Sequence, residues 1–401
     1  MALAWTCLVV EILFLISTTQ GKLAESTVFR PGTLPDTTAG AQVHAHGGDI
    51  FAVDTDNGTL FHWYGTTQKL QPGWISEGIQ IYSSWNLADW KHEGVILHNR
   101  DITGIPYRPP YRIERPKILH NAGTSKYVLL FHVDTPAFEY PAVGVAESST
   151  LTGKYTWVRA FKPDGRNSYD MTAYQDADGN AYLIRSVENA FLGISPLDDD
   201  FHDTKGLCSA TAQAEAPAVF MPPHPSFFNL FIIGSHLTGW SANPALLFQT
   251  KTPSLCDARV WLQTSPARGQ GSESTFESQA AAVFPFFYED GEVLFIYMGD
   301  RWNAFGPGSV GNASYVWLPL LPTPDGSYEL VYYSEWSPAS VKPMLQAAKR
   351  WSWRKAVALW WTRLWYMASS WCRWLHAVSA GLSPQSVRLP PMRHSLMHAA
   401  E

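Results

Sequence analysis

The chain has 401 residues, of which 14% are aromatic and only 16% charged, so it can bury a large core. Length alone allows two or three average domains, but all-β folds often run longer as one unit. A formal net charge of −6 argues against a nucleic-acid partner, and 18 Trp, 17 Tyr and 20 Phe suit either a packed β core or a site that stacks on sugar rings.

Residues 1–21, MALAWTCLVVEILFLISTTQG, read as a secretory signal peptide, with an uncleaved N-terminal anchor as the alternative because Glu11 interrupts the apolar stretch. A secreted or extracellular protein is therefore expected. Of the four cysteines, Cys7 falls in that segment; Cys208 and Cys256 are candidates to pair in an oxidising compartment. The sequons Asn57-Gly58-Thr59 and Asn312-Ala313-Ser314 agree with secretion.

One pattern then recurs: a turn followed by an aromatic, β-branched strand. It appears as NGTLFHWYG from Asn57, TSKYVLLFHV from Thr124 and DGNAYLIRSV from Asp178, and returns as PSFFNLFIIGS from Pro225 and DGEVLFIYMG from Asp290. Asn-Gly and Asp-Gly favour hairpin turns, and the spacing of roughly 50 to 65 residues leaves room for about four short strands per repeat. Five such units across residues 30–335 predict an all-β fold, a five-bladed β-propeller. A two-sheet sandwich is the alternative.

Upstream of each hairpin lies a segment carrying an unexpected polar group. These are His44, His46 and Asp49 in VHAHGGD; Glu114 and Arg115 in YRIERPKIL; Asp170 in SYDMTAY; Glu215 in AEAPAVF; and Gln279 in TFESQAAAVF. The first strand of every blade lines the central channel, so equivalent positions in five blades converge although they are far apart in sequence. A carboxylate avoids such strands unless it is paired or functional, because burying it costs several kcal/mol. For Glu114, an ion pair with Arg115 or Lys117 is the structural alternative. Three acids in register across three blades suit glycoside hydrolysis, in which one carboxyl stays protonated and a neighbouring charge raises its pKa. No metal and no cofactor is implied: His44, His46, His62 and His132 form no recognised ligand spacing, and no nucleophile elbow or phosphate loop occurs.

From about Ser337 the texture changes. Residues 336–401 form a basic, Trp-rich extension with no acidic residue before Glu401, expected to be helical. Residues 342–376 are candidates for membrane-surface contact; a helix packed on the propeller or a tail without structure are the alternatives.

The segments AHGGDIF, YSSWNLADWKHEGVIL, ERPKIL, SYDMTAYQDADGNAYLI, EAPAVF, LTGW, TFESQ, YMGDRWN and YVWLPL, in this order, resemble glycoside hydrolase family 43, in the branch of exo-acting galactan 1,3-β-galactosidases. The resemblance covers the propeller and none of the Trp-rich extension. It implies an inverting enzyme acting on β-1,3-galactan, a polysaccharide or glycoprotein glycan. Glu215 would be the general acid, Asp170 its pKa modulator, and Glu114 the residue gripping hydroxyls of the terminal sugar. His46, Asn189, Thr238 and Trp240 would line the pocket. The family's first-blade aspartate base is replaced here by His46, and Gln279 matches the glutamine thought to orient the water in this branch. Thr66 stands where relatives often carry an acid. A β-xylosidase or α-L-arabinofuranosidase activity, or a non-catalytic carbohydrate-binding propeller, are the competing expectations.

Overall fold

The structure, a computed structural model, describes residues 24–68, 75–222, 228–303 and 309–348. Five sheets follow one another along the chain, antiparallel apart from one short parallel pair in the fifth. Blade 1 comprises β1 (His46–Thr55), β2 (Gly58–Thr66), β3 (Gly78–Ser84) and β4 (Lys91–His98); blade 2 comprises β5 (Arg112–Asn121), β6 (Lys126–Asp134), β7 (Ala142–Ser148) and β8 (Thr156–Phe161). Blade 3 contains β9 (Ser168–Gln175), β10 (Ala181–Val187), β11 (Phe191–Pro196) and β12 (Ser209–Ala210), and blade 4 contains β13 (Glu215–Phe220), β14 (Leu230–Ser235), β15 (Leu246–Thr250) and β16 (Leu262–Thr264). Blade 5 adds β17 (Ala267–Arg268), parallel to its outer strand, to β18 (Gln279–Phe287), β19 (Val293–Arg301), β20 (Ser314–Pro322) and β21 (Tyr328–Val331). This is the five-bladed propeller expected. The recurring aromatic segments are the second strands β2, β6, β10, β14 and β19, and the polar residues upstream of them lie on the first strands, except His44, which precedes β1.

Burial explains the pattern. The second strands are covered on both faces, as in β14, where Leu230–Ser235 are all buried, whereas the outer strand β8 is mostly exposed or half-exposed. Much of the aromatic content goes into the seams between blades. Trp63 of blade 1 meets Trp317 of blade 5 with ring centroids 4.7 Å apart, in a cluster that also holds Trp90 and Trp336. The N-terminal segment closes the ring by bridging Phe29 to Trp336 and Thr33 to Tyr315. Residues 338–348 then form a helix whose Val341 and Leu345 join the same cluster, and whose Lys342 pairs with Asp290 at 2.9 Å. Among the described residues no helix is long and apolar enough to cross a membrane. The leader-like residues 1–21 lie outside the described residues, as does the Trp-rich part of 342–376 from residue 349 onward.

Cys208 and Cys256 form a disulfide, closing a loop between blades 3 and 4. The first sequon places Asn57 in the exposed β1–β2 turn, whereas Ala313 of the second is fully buried.

One irregularity recurs and positions the site. Each inner pairing carries a register shift near its N-terminal end: between His46 and Asp49, Glu114 and Lys117, Arg185 and Val187 (opposite Asp170), Glu215 and Ala218, and Ala280 and Ala282. Such β-bulges re-aim side chains that regular alternation would send elsewhere. In three blades a bulge residue has left-handed backbone: Gly47 (φ 64°), Arg115 (φ 54°) and Ala216 (φ 52°). For Arg115 and Ala216 that conformation is strained, a cost tolerated chiefly at functional sites.

Candidate active site

The bulged ends of the five inner strands meet in one cavity of about 460 Å³ at a mouth of the channel. His46, Glu114, Asp170, Asn189, Glu215, Trp240 and Gln279 all line it, so seven of the eight sequence-predicted site residues come together. Thr238 does not. Its hydroxyl donates to Ser241 O at 2.6 Å and accepts from the Asn243 amide, because the LTGW turn uses it to hold its own shape; Leu237 and Gly239 line the cavity instead.

Glu215 opens β13, half-buried, and accepts a hydrogen bond of 2.9 Å from Gln279 Nε2. Its pKa is pushed up to about 8, first by burial and then by the charge of Asp170, against the opposing pull of Arg115. The Arg115 guanidinium commits elsewhere: it donates to Asp170 Oδ2 at 2.8 Å, to Gln279 Oε1 at 2.6 Å and to Ala280 O at 2.6 Å. The two carboxyl groups thus have different environments. Asp170 takes the cation, while Glu215 has only a neutral amide donor, whose downward pull on its pKa is outweighed by burial and by the charge of Asp170, so the protonated form of Glu215 is favoured.

Gln279 is held at both ends. Arg115 and the indole N–H of Trp302 (2.9 Å) are donors only, so the atom they meet is the amide oxygen. Its nitrogen donates to Glu215 and to Ser235 Oγ at 3.0 Å. With two donors on its oxygen, Gln279 is fixed as the ordinary amide, which can orient groups but is a very weak base.

Glu114 does not pair with Arg115 or Lys117. The bulge and the left-handed Arg115 turn the arginine toward blades 3 and 5, and Lys117 donates to the carbonyls of Gly47, Gly48 and Pro116 in the channel. Glu114 instead lies 3.7 Å from Arg112 and 3.5 Å from His132.

His46 is fully buried behind the cavity, stacked on Tyr315 and 3.2 Å from Asp300 Oδ1, with His44 Nδ1 3.3 Å from its other nitrogen. Burial and the neighbouring His46 push the His44 pKa down to about 4. Asp49 points away. It lines a separate cavity of about 320 Å³ together with Lys117, and loss of hydration pushes its pKa up to about 6. Asp49 therefore does not stand in for the missing aspartate.

Trp302 was not singled out by sequence, although a signal existed: DRWN follows the second strand of blade 5 as LTGW follows that of blade 4. The two indoles, Trp240 and Trp302, meet edge to face at 4.9 Å. Thr66 lines the cavity too, but its hydroxyl is engaged with His46 O at 3.2 Å. Among the described residues, only Glu114, His132 and Asp170 form a group of three with ligand-type atoms all within 4.8 Å of one another. Arg112 and Arg115 already bring positive charge to this cluster, which makes it a poor fit for a metal ion.

No protein-family model matches the chain, and no curated protein matches its sequence. Solved structures do match. The chain is similar to the exo-β-1,3-galactanase of Phanerochaete chrysosporium, crystallised with β-1,3-galactotriose, at 29% identity and a TM-score of 0.67 over 78% of this chain and 68% of that one. It is similar to the exo-β-1,3-galactanase of Clostridium thermocellum at 28% identity, with a TM-score of 0.67 over 78% and 67% of the two chains. A family 43 β-1,3-galactosidase crystallised with galactodeoxynojirimycin matches at 26% identity, with a TM-score of 0.67, over 77% of this chain and all of that one.

Proposed function

We propose that this chain, a glycoside hydrolase placed by its propeller and its structural relatives in family 43, β-1,3-galactanase branch, removes galactose from the end of β-1,3-galactan with inversion at C1. The observation that carries the proposal is the Glu215–Asp170–Gln279 arrangement: a carboxyl with its pKa near 8, a charged neighbour held in place by arginine, and an amide that holds the acid in place.

Glu215 donates its proton to the departing glycosidic oxygen as the bond to C1 breaks and positive charge builds on the sugar. Asp170 keeps Glu215 protonated up to the pH of action. Water enters from the opposite face of the ring and adds to C1 as the glycosidic bond breaks, its spare proton passing to bulk solvent through the open cavity; Gln279, locked as an amide, orients groups without taking that proton. Glu114 receives hydroxyls of the terminal galactose, and Trp240 with Trp302 offers apolar ring faces to the sugar. The leader-like segment 1–21 of the sequence and the Cys208–Cys256 disulfide support the reading of a secreted enzyme.

Time-resolved NMR of a β-1,3-galactan digest tests substrate, end-wise action and stereochemistry together. Monomeric galactose appearing first as the α-anomer is expected. Release of xylose or arabinose from a panel of aryl glycosides, with none from galactan, would reassign the sugar.

A further inference from the structure

Glu114 is one corner of a charged square whose other three members the reaction does not use directly. In the β5–β6 register Glu114 faces His132 and Arg112 faces Asp134, so four ionisable side chains occupy two adjacent cross-strand pairs. His132 is fully buried, with Nδ1 3.5 Å from Glu114 Oε2 and Nε2 3.5 Å from Asp134 Oδ2. Asp134 is buried as well, and its Oδ1 accepts from the backbone N–H groups of Thr135 and Tyr140, both at 2.7 Å. That leaves Oδ2 directed at the imidazole.

A neutral imidazole carries one N–H and one lone pair. Here both nitrogens face carboxylate oxygens, so the neutral ring would set a lone pair against an anion on one side. Only the doubly protonated ring satisfies both contacts. The square is then electrically balanced, two cations against two anions, which is how buried charge is tolerated.

We propose that His132 is a positioning residue: anchored on Asp134 as an imidazolium, it holds the Glu114 carboxylate ionised and aimed into the sugar pocket. The two carboxylates outweigh burial and raise its pKa to about 9, so the clamp persists through neutral pH. A protonated ring has no lone pair to give, which also removes His132 as a metal ligand beside Glu114 and Asp170. The inference rests on the assignment of Glu114 to the terminal galactose.

The test pairs kinetics with a direct view of the ring. With β-1,3-galactobiose as substrate, His132→Asn is expected to raise KM by roughly 10-fold or more, as when one partner of a buried ion pair is removed, with kcat changed far less. Glu114→Gln should raise KM in the same way. If Glu114→Gln leaves KM unchanged, the assignment of Glu114 fails; if Glu114→Gln raises it and a folded His132→Asn does not, the clamp fails. Nitrogen-15 NMR of histidine-labelled wild-type protein at pH 7.5 is independent of turnover and of how the variant folds. Both His132 nitrogens should carry protons; one unprotonated nitrogen overturns the proposal.

Discussion

Gln279 Nε2 donates to Glu215 Oε1 at 2.9 Å, joining the first strands of the neighbouring fifth and fourth blades. Its oxygen is occupied at the same time by Arg115 and Trp302, so the amide cannot turn over. The residue in the place of a base is thus a brace for the acid, and several consequences can be measured.

Gln279→Ala removes the brace and leaves the Arg115 and Trp302 donors without their acceptor. A fall in kcat of roughly 10²- to 10³-fold is expected, as for loss of one preorganised polar group. A kcat within threefold of the wild type, measured on β-1,3-galactan with folded protein, would show that the brace is dispensable.

Glu215→Gln should lower turnover of galactan by roughly 10²- to 10⁴-fold, the usual contribution of a positioned general acid. Aryl galactosides with acidic phenol leaving groups need little protonation, so their hydrolysis should fall much less. Equal losses on both substrates would mean that Glu215 is not the proton donor.

The pH profile follows from the sign of the shift. Glu215 works protonated, and its pKa is raised to about 8, so kcat/KM should hold through neutral pH and decline on the alkaline side of about 8. Asp170 is the charge that helps to raise it. Asp170→Asn should therefore move the alkaline limb to lower pH as well as reduce the rate; a limb that stays in place, or moves up, contradicts the assigned coupling.

The Cys208–Cys256 bridge spans 48 residues of sequence. By the loop-entropy estimate it stabilises the fold by about 4 kcal/mol. A Cys208→Ser/Cys256→Ser variant should unfold at a clearly lower temperature than the oxidised wild type, and adding a reductant should affect only the wild type. Coincident melting curves for the two proteins would refute a stabilising role.

The sequence carried the blade count and the addresses of the acids because both are local. Hairpin turns and both-face burial of the second strands leave their mark within about ten residues, and a carboxylate in an apolar strand stands out by its desolvation cost. The convergence of Glu114, Asp170, Glu215 and Gln279 followed from the same repeat, whereas Cys208 and Cys256 were candidates to pair only through the expected oxidising compartment. Side-chain direction did not. Arg115 lies next to Glu114 in sequence yet serves Asp170 from another blade, Asp49 lies three residues from His46 yet lines a different cavity, and Thr238 turns back into its own loop. Each outcome depends on a bulge or turn, and a bulge exists only as a mismatch between two strands. The sequence alone determined which strand ends reach the channel mouth; the tertiary structure decided which of their side chains enter the site, which is charged, which is neutral and which holds the other, because pairing and burial in the assembled ring set the protonation states.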